Sequence, residues 1–291
     1  MKKTITLNNG VEMPMIGYGV WQIAPAECRY YVEEALRAGY RSIDTAQAYY
    51  NEEGVGEAIE RSGIPRGEIF LTTKVWISSA GEEKAARSID ESLRKLRTDY
   101  IDLLLIHQPF GDYYGTYRAM EKAYRAGKVR AIGLSNFYDA RFVDLAENME
   151  VKPAVVQLET HVFSQQVKMR ALVKEYGTRL MAWSPLARGT NNLFGNETLK
   201  GIAARHGRDI AQICLKFLTD EGIIVIPQST KPERIASNFD LDGFELAGDE
   251  REALRALDTG HTLAADFNDP ALAKYLLDYD RQFNPKRSSG N

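Results

Sequence analysis

An acid, an amine, an imidazole and a phenol occur in this sequence at positions where they could act together. Asp44, Lys74 and His107 each end or follow a short apolar, β-branched run, and the segment DTAQAYYNEEGVGEAI, which begins at Asp44, contains the adjacent tyrosines Tyr49 and Tyr50. A tyrosine has a pKa of about 10, so it donates a proton near neutral pH only where its phenolate is stabilised. The ammonium of Lys74 would lower that pKa, and Asp44 would keep the ammonium charged.

This set of side chains suits the addition of a proton to an oxygen on which negative charge develops. A neutral His107 would donate a hydrogen bond to a carbonyl oxygen and orient it. The sequence has no G-x-S-x-G or H-E-x-x-H motif and no cysteine cluster, which argues against a Ser-His-Asp hydrolase and a metal site. Reduction of a carbonyl also needs a hydride that no side chain supplies, so a nicotinamide cofactor is implied. The chemistry requires a tyrosine without deciding between Tyr49 and Tyr50.

Eight strand-like segments that alternate with amphipathic helical segments would position these residues. The strand candidates are MPMIGYG, YRSIDTA, EIFLTTKVW, IDLLLIH, KVRAIGLSN, PAVVQLE, RLMAWSP and GIIVIPQS. Between them apolar residues recur at helical spacing, as in the series Ala86, Ile89, Leu93 and Leu96. Strands that alternate with helices pair in parallel, and eight such units in 291 residues match a closed (β/α)8 TIM barrel better than an open doubly wound sheet.

We expect residues 1–291 to form a single barrel domain, because no linker rich in Pro, Gly or Ser divides the chain. Residues 1–16 are typical of a β-hairpin around the turn signal Asn9-Gly10, and this hairpin would close the bottom of the barrel. The segment from about 260 to 291 would supply a C-terminal loop and tail.

Composition and charge exclude several classes of partner. With 44% hydrophobic residues, 26% charged residues and a net charge of -3, the chain is typical of a soluble protein without a basic field for nucleic acid or anionic lipid. The longest apolar run, LLLI, is too short to span a bilayer. Cys28 and Cys214 lack partners at zinc-site spacing, so we expect no metal and no disulfide framework. A cytoplasmic enzyme acting on a small molecule fits these features.

The carboxyl ends of barrel strands converge on one opening, so polar and aromatic residues there are candidates for a binding site. Beyond the residues above, such positions hold Ser135, Asn136, Gln157, Trp183, Ser184, Gln228 and Ser229. Each of them alone has a plainer explanation, such as a helix cap or a core aromatic. Their joint occurrence at strand ends favours a site.

In its motifs the sequence resembles the aldo-keto reductases, a family of (β/α)8-barrel, NADP(H)-dependent oxidoreductases. GYGVWQ, DTAQAYYNEEGVGEAI, TTKVW, DLLLIHQP, AIGLSNF, VVQLE, AWSPLARG and IPQSTKPERIASN occur in the order of the family and near its spacings. The stretch HQPFGDYYGTYRAME is most similar to bacterial members of the 2,5-diketogluconate and methylglyoxal reductase-like groups. The family spacing places the catalytic tyrosine five residues after the aspartate, which selects Tyr49.

The resemblance implies roles for three sets of residues. The catalytic tetrad would be Asp44, Tyr49, Lys74 and His107, with Tyr49 as the general acid in the reduction of an aldehyde or ketone. The cofactor NADP(H) would contact Ser135, Asn136, Gln157, Trp183, Ser184, Leu186, Gln228, Ser229, Lys231, Arg234 and Asn238. The walls of the substrate pocket would include Val20, Trp21 and Trp76.

Two positions depart from the family pattern around the adenosine phosphate. Gln228 stands where a lysine near the 2′-phosphate is usual, and Ser237 stands where a glutamate is common. Lys231 is close enough in sequence to supply the missing charge, and the retained Arg234 suits a phosphate. We therefore expect NADP(H), and NAD(H) remains open as an alternative cofactor.

Two other functions compete with reduction. One is a nucleotide-binding regulatory subunit of the same superfamily, which the intact tetrad argues against. The other is an unrelated barrel enzyme, such as an aldolase in which Lys74 forms a Schiff base. We expect a monomer, with a homo-oligomer as the alternative.

Overall fold

A ring of parallel strands lies at the centre of the molecule. The computed structural model describes residues 3–283 and confirms the eight predicted barrel strands and their sequential parallel order. The strands are β1 (Thr4–Thr6), β2 (Glu12–Pro14), β3 (Tyr18–Gly19), β4 (Ser42–Asp44), β5 (Phe70–Val75), β6 (Ile101–Ile106), β7 (Val129–Ser135), β8 (Val155–Glu159), β9 (Arg179–Trp183) and β10 (Ile224–Val225).

The ring closes between its first and last strands. Gly17 N donates to Val225 O at 2.8 Å, Val225 N donates to Met15 O at 3.0 Å, and Gly19 N donates to Pro227 O at 3.1 Å. These bonds join the segment that leads into β3 to the segment around β10, so no open edge remains there. The architecture is the expected (β/α)8 barrel.

Helices surround this ring. They are α1 (Pro25–Ala38), α2 (Glu52–Arg61), α3 (Glu82–Lys95), α4 (Tyr113–Arg125), α5 (Asp139–Asn148), α6 (Val167–Glu175), α7 (Glu197–His206), α8 (Ile210–Asp220), α9 (Pro232–Phe239), α10 (Gly248–Arg255) and α11 (Pro270–Phe283). The predicted helix at α3 is present, but Ala85 is buried with Ile89 while Ala86 is exposed. The helix repeats every 3.6 residues, so a shift of one position moves a side chain to a different face.

Successive side chains of a barrel strand point to opposite faces, and each face packs in its own apolar core, which explains the uninterrupted apolar runs of the strands. In β6, Leu104 and Ile106 pack in the core beneath the helices, whereas Leu103 and Leu105 belong to a second core inside the barrel. Both faces of a parallel strand are covered, so both must be apolar.

The N-terminal hairpin of β1 and β2 covers the amino ends of the barrel strands. Its strands pair antiparallel, and Gly10 turns the chain with a φ of 84°. Leu7 and Met13 of this segment belong to the core inside the barrel, and Asn8 Nδ2 donates to Pro153 O at 3.0 Å. The polar candidate residues lie at the opposite end of the barrel, at the carboxyl ends of the strands.

The C-terminal segment beyond α10 passes the carboxyl end of β8, where the amides of Leu263 and Ala264 donate to Glu159, and leads into α11. Phe267 is buried and stacks on Tyr138, and its carbonyl accepts a hydrogen bond from Arg141 Nη1 at 2.8 Å. The part of the predicted tail at 284–291 lies outside the described residues. The assignment of residues 1–291 to one domain stays a prediction. Between residues 3 and 283, no helix has the length and apolar character needed to cross a membrane.

A close contact between α2 and the end of α3 generates a stability prediction. A Cβ atom at Gly56 would lie 2.6 Å from the Lys95 carbonyl oxygen and from the Leu96 carbonyl carbon. We expect Gly56→Ala to lower the free energy of unfolding by about 1–3 kcal/mol, because backbone cannot yield as a side chain does. The midpoint of urea unfolding measures this.

The matched control is Gly201→Ala, in the exposed interior of α7, where no atom lies within 4 Å of the new methyl group. There we expect a gain of about 0.5–1 kcal/mol from helix propensity. A gain of the same sign at Gly56 would contradict the packing argument.

Candidate active site

The amine of Lys74 is the centre of a buried polar cluster at the carboxyl end of the barrel. Its Nζ donates to Asp44 Oδ1 at 2.5 Å, to Thr45 O at 3.0 Å and to the Tyr49 hydroxyl at 3.4 Å. Strand pairing produces this contact: Asp44 is in register with Thr72, and Lys74 lies two residues further along the same face of β5. Three of the four residues predicted to act together are therefore in direct contact.

The second oxygen of the aspartate is also engaged. Gln157 Nε2 donates to Asp44 Oδ2 at 2.9 Å and lies 3.2 Å from Met181 Sδ. A buried charge is tolerated where its hydrogen-bonding capacity is satisfied, and both oxygens of this carboxylate are satisfied. Gln157 thus reaches the tetrad itself, a contact that the sequence did not indicate.

The loop after β4 separates the two tyrosines. Tyr49 ends a single 3-10 turn over Gln47–Tyr49, and Tyr50 follows with a φ of 57° that turns the chain. Gln47 fixes this turn, since its Oε1 accepts from Trp76 N at 3.0 Å and its Nε2 donates to Ser92 Oγ at 3.1 Å. Tyr50 is 63% exposed, whereas Tyr49 is half-buried against Lys74. Of the two phenols, the fold brings that of Tyr49 to the cluster.

The fourth residue, His107, lies beside the phenol. Its ring meets the Tyr49 ring edge to face with centroids 5.5 Å apart, and it meets the Trp76 ring at 5.0 Å. Its Nδ1 is enclosed and has no hydrogen-bond partner within residues 3–283. Burial, together with the charge of Lys74, holds the pKa of His107 well below its usual range. The imidazole is therefore neutral and can donate one hydrogen bond.

The protonation of the other two groups follows from burial and charge. Burial disfavours the charged form of Lys74, but Asp44 and Tyr49 together outweigh it and raise the pKa of the amine. For Tyr49, burial raises the pKa, and Lys74 only partly opposes that effect. Lys74 thus acts on the pKa of Tyr49 in the expected direction, but removing the phenol from water penalises its anion more than the nearby ammonium stabilises it.

Four of the residues predicted to contact the cofactor form a strip from β7 to β9. Ser135 pairs in register with Gln157 on β8. Asn136, held at a φ of 66°, donates from Nδ2 to His107 O at 3.1 Å and accepts from Trp183 Nε1 at 2.8 Å. Neighbouring strand ends thus join this strip to the catalytic cluster.

The next predicted contacts continue along the same rim. Ser184 follows β9 in the left-handed conformation with a φ of 51°, and Leu186, two residues later, is half-buried. Ser229 holds its own loop, since its carbonyl accepts from the Tyr18 hydroxyl at 2.6 Å and its Oγ accepts from Lys231 N at 3.1 Å. Gln228 is exposed beside this loop.

Helix α9 carries the remaining predicted contacts. Lys231 precedes its first turn, Arg234 lies within it, and Asn238 is buried near its end. Both cations are exposed, and neither forms an ion pair with a carboxylate in the described part of the chain. Ser237, at the second departure from the family pattern, donates to Asp209 Oδ2 at 2.6 Å. A helix N-terminus with two unpaired cations is suited to a phosphate group.

The predicted walls of the substrate pocket differ in exposure. Trp21 is 39% exposed and Trp76 is 8% exposed, and the Trp76 ring contacts His107. Val20 is fully buried in the core cluster, so its place in the pocket wall stays a prediction. Its backbone nitrogen donates to Asp44 O at 3.1 Å and so links the segment after β3 to the end of β4.

Sequence reasoning missed three residues around the opening. Glu159 is the last residue of β8, and its carboxylate accepts from Leu263 N at 2.7 Å and contacts His161. Asn51 is buried and donates from its side chain to Val20 O at 3.0 Å. Arg188 lies over Trp21 with its guanidinium carbon 4.6 Å from the ring centroid. Arg188 belongs to the family motif AWSPLARG, but the motif alone does not indicate which residues its side chain contacts.

The polar cluster can bind a carbonyl oxygen beside a phenol and a neutral imidazole. No group of three His, Cys, Asp or Glu side chains within residues 3–283 could hold a metal ion. The contacts described above comprise a hydroxyl donor, an imidazole donor and a buried ammonium that stabilises negative charge nearby.

Comparison with known proteins identifies what this arrangement is similar to. A sequence profile of the Aldo/keto reductase family matches residues 13–259. The glyoxal reductase of Bacillus subtilis (strain 168) is 44% identical over 259 residues, covering 88% of this chain and 93% of that protein. The methylglyoxal reductase DkgA of Escherichia coli (strain K12) is 37% identical over 265 residues, covering 90% and 96% of the two chains.

A solved structure with a bound cofactor has the same fold. The crystal structure of a Gox0644 mutant in complex with NADPH superposes with a TM-score of 0.87 at 37% identity, covering 92% of this chain and 98% of that chain. The family resemblance of the sequence is thus confirmed.

The enclosed imidazole gives a prediction about titration. We expect the ring nitrogens of His107 to show no protonation around pH 6.5, where an ordinary histidine titrates, because burial and Lys74 disfavour the cation. Nitrogen-15 NMR of histidine-labelled protein measures this, and His107→Asn assigns the signal. A titration midpoint at or above about 6.5 would show that the ring is not held neutral.

Proposed function

Because the chain belongs to the aldo/keto reductase family, an oxidoreductase family, we propose that it reduces small aldehydes and ketones to alcohols with NADP(H), using Tyr49 as the general acid. The observation that carries this proposal is the contact of the Lys74 amine with both Asp44 and the Tyr49 hydroxyl. The cofactor supplies the hydride when it is bound.

The proton has a defined source in this arrangement. As negative charge develops on the carbonyl oxygen, the Tyr49 hydroxyl gives its proton to that oxygen, and the phenolate that forms lies beside the Lys74 ammonium at 3.4 Å. Asp44 and the Thr45 carbonyl hold the ammonium in place. A neutral His107 donates a hydrogen bond to the same oxygen and so fixes the carbonyl next to the phenol.

The raised pKa of Tyr49 favours the direction of reduction. Burial keeps the phenol protonated through the neutral range, and the protonated form is the one that donates. Lys74 does not reverse this preference in the free protein, but its charge lowers the energy of the phenolate after transfer. Alcohol oxidation, which needs the phenolate as the base, is favoured only at high pH.

The cofactor proposal rests on complementary chemistry along the rim. Asn136 and Trp183 present an amide and an indole next to the tetrad, and they are bonded to each other at 2.8 Å. Lys231 and Arg234 place two positive charges at the start of α9, where a phosphate is favoured. These cations compensate for Gln228 in place of the usual lysine. A relative of the same fold is described in complex with NADPH.

The names of the relatives suggest a class of substrate. Two similar proteins are a glyoxal reductase and a methylglyoxal reductase. We therefore propose small reactive carbonyl compounds of the 2-oxoaldehyde type as substrates.

The amine chemistry argues against the aldolase alternative. Formation of a Schiff base needs a neutral amine, and the pKa of Lys74 is raised by Asp44 and Tyr49 against the effect of burial. No contact in the described residues favours the regulatory alternative over the enzyme. Cytoplasmic location and a monomeric state stay predictions.

Paired tyrosine variants test the proposal. We expect Tyr49→Phe to lower kcat for methylglyoxal by at least about 100-fold, since it removes the proton donor. Tyr50→Phe, at the exposed neighbouring position, is expected to stay within about twofold of the parent protein, since surface changes away from the chemistry act weakly. Loss of absorbance of the reduced nicotinamide measures the rate. The reverse ranking of the two variants, or no turnover over a panel of carbonyl compounds, would contradict the assignment.

A second prediction concerns the adenosine phosphate. We expect Arg234→Ala and Lys231→Ala each to raise KM for NADPH by about tenfold and to leave KM for NADH nearly unchanged, because only NADPH carries the 2′-phosphate. Gln228→Lys, which restores the usual family residue, should lower KM for NADPH. Steady-state kinetics with both cofactors measures the ratio. Equal losses for NADPH and NADH would show that these cations do not select the phosphate.

A further inference from the structure

The side-chain amide of Asn51 is buried between two loops at the carboxyl end of the barrel. Asn51 is 1% exposed, and its Nδ2 donates to Val20 O at 3.0 Å and to Ile23 O at 3.2 Å. Its Oδ1 accepts from Thr45 Oγ1 at 2.8 Å. Carbonyl oxygens only accept hydrogen bonds, so the nitrogen of the amide must face them and its oxygen must face the hydroxyl. One side chain therefore joins the loop after β3 to the loop after β4.

Asn51 makes these contacts in place of a helix cap. It immediately precedes α2, where an asparagine side chain usually accepts a hydrogen bond from a backbone N–H of the first turn. Among the described residues its side chain makes no such bond. A residue that departs from its local preference in this way is expected where a functional site requires its side chain elsewhere.

The contact with Thr45 leads to the catalytic cluster. Thr45 N donates to Thr72 O at 2.9 Å, and the Thr45 hydroxyl is bound to Asn51, so the direction of the Thr45 carbonyl is fixed from both sides. That carbonyl accepts from Lys74 Nζ at 3.0 Å. It is one of the partners that keep the ammonium 3.4 Å from the Tyr49 hydroxyl. Asn51 thus acts on the amine through one intervening residue.

The contacts with Val20 and Ile23 hold the turn that carries Trp21. Ile23 N donates to Val20 O at 3.2 Å, and Gln22 between them has a φ of 62°. A non-glycine residue in this left-handed conformation is strained and persists where surrounding bonds require it. The carbonyls at the two ends of the turn bind one amide, which keeps the turn closed and Trp21 at the opening of the barrel.

We propose that Asn51 is a positioning residue for the reduction, which holds the Lys74 amine beside Tyr49 through the Thr45 carbonyl and holds the turn of Trp21 in register with it. Asn51 contacts neither the phenol nor the imidazole, and it is neutral, so it acts through geometry and not through charge. This inference rests on the proposed reductase function and adds a residue on which the rate of the chemical step depends.

Threonine variants test the link to the amine. Thr45→Val keeps the shape of the side chain and removes the hydroxyl that binds Asn51, whereas Thr45→Ser keeps a hydroxyl. The matched control is Thr178→Val at the amino end of β9, where the Thr178 hydroxyl donates to Pro153 O at 2.7 Å. Thr45 is 0% and Thr178 is 4% exposed, so Thr45→Val and Thr178→Val each remove one buried hydrogen bond, at opposite ends of the barrel.

We expect Thr45→Val to lower the single-turnover rate of NADPH oxidation by methylglyoxal about tenfold, because an amine that loses one partner stabilises the phenolate less well. The Kd of NADPH, measured by fluorescence quenching, should stay within about twofold. Thr45→Ser should recover most of the lost rate. Thr178→Val should lower the midpoint of urea unfolding and leave the single-turnover rate at the parent value, which separates positioning from stability.

Asn51→Ser tests the bridging amide itself. Serine caps helices well, so this substitution removes the bridge without weakening the start of α2. We expect it to slow the single turnover at least as much as Thr45→Val, because both branches are lost. Fluorine NMR of protein labelled with 5-fluorotryptophan follows the other branch, since the chain has three tryptophans and Trp21→Phe assigns one signal. Asn51→Ser should shift or broaden the Trp21 signal, and Thr178→Val should not.

Three results would overturn the inference while the proposed function stands. They are equal single-turnover rates in Thr45→Val and Thr178→Val, a loss in Thr45→Val that Thr45→Ser does not recover, and a Trp21 signal that Asn51→Ser leaves unchanged. Should Asn51→Ser fail to fold, the threonine variants decide alone. No turnover of any carbonyl compound by the parent chain would instead overturn the reductase proposal, and the inference with it.

Discussion

The buried ion pair of Lys74 and Asp44 is the interaction on which the candidate site depends. Removing two charges from water is costly, and the cost is offset only where every donor and acceptor finds a partner. Here the amine has three oxygen partners, and the second carboxylate oxygen accepts from Gln157. Two neighbouring strands, the loop after β4 and a strand further around the ring are thereby held in one geometry.

The same ammonium governs the protonation of its surroundings. It opposes a second positive charge on His107, and it partly offsets the burial that keeps Tyr49 protonated. The result is one charged pair next to two neutral donors, an arrangement ready to give a proton to an oxygen. Arg188 lies further out at the opening, with its guanidinium over the rings of Trp21 and Trp183.

Much of the fold followed from patterns that depend on neighbouring residues alone. The eight strands were predictable because each is a short apolar run followed by polar residues, and parallel pairing covers both faces. Errors arose where one position decides which face a side chain occupies. Ala85, not Ala86, is buried on α3. Val20 is packed in the core although it is adjacent to the exposed Trp21.

The sequence by itself determined the barrel, the polar residues at its strand ends and, through the family spacing, the choice of Tyr49 over Tyr50. These follow from local periodicity and from motif order, both of which are written along the chain. Only the tertiary structure decided that burial raises the pKa of Tyr49, that Gln157 bonds to Asp44 and that Arg188 lies over two indoles. Those properties depend on distances and on exclusion of water between residues far apart in sequence, and spacing along the chain carries neither.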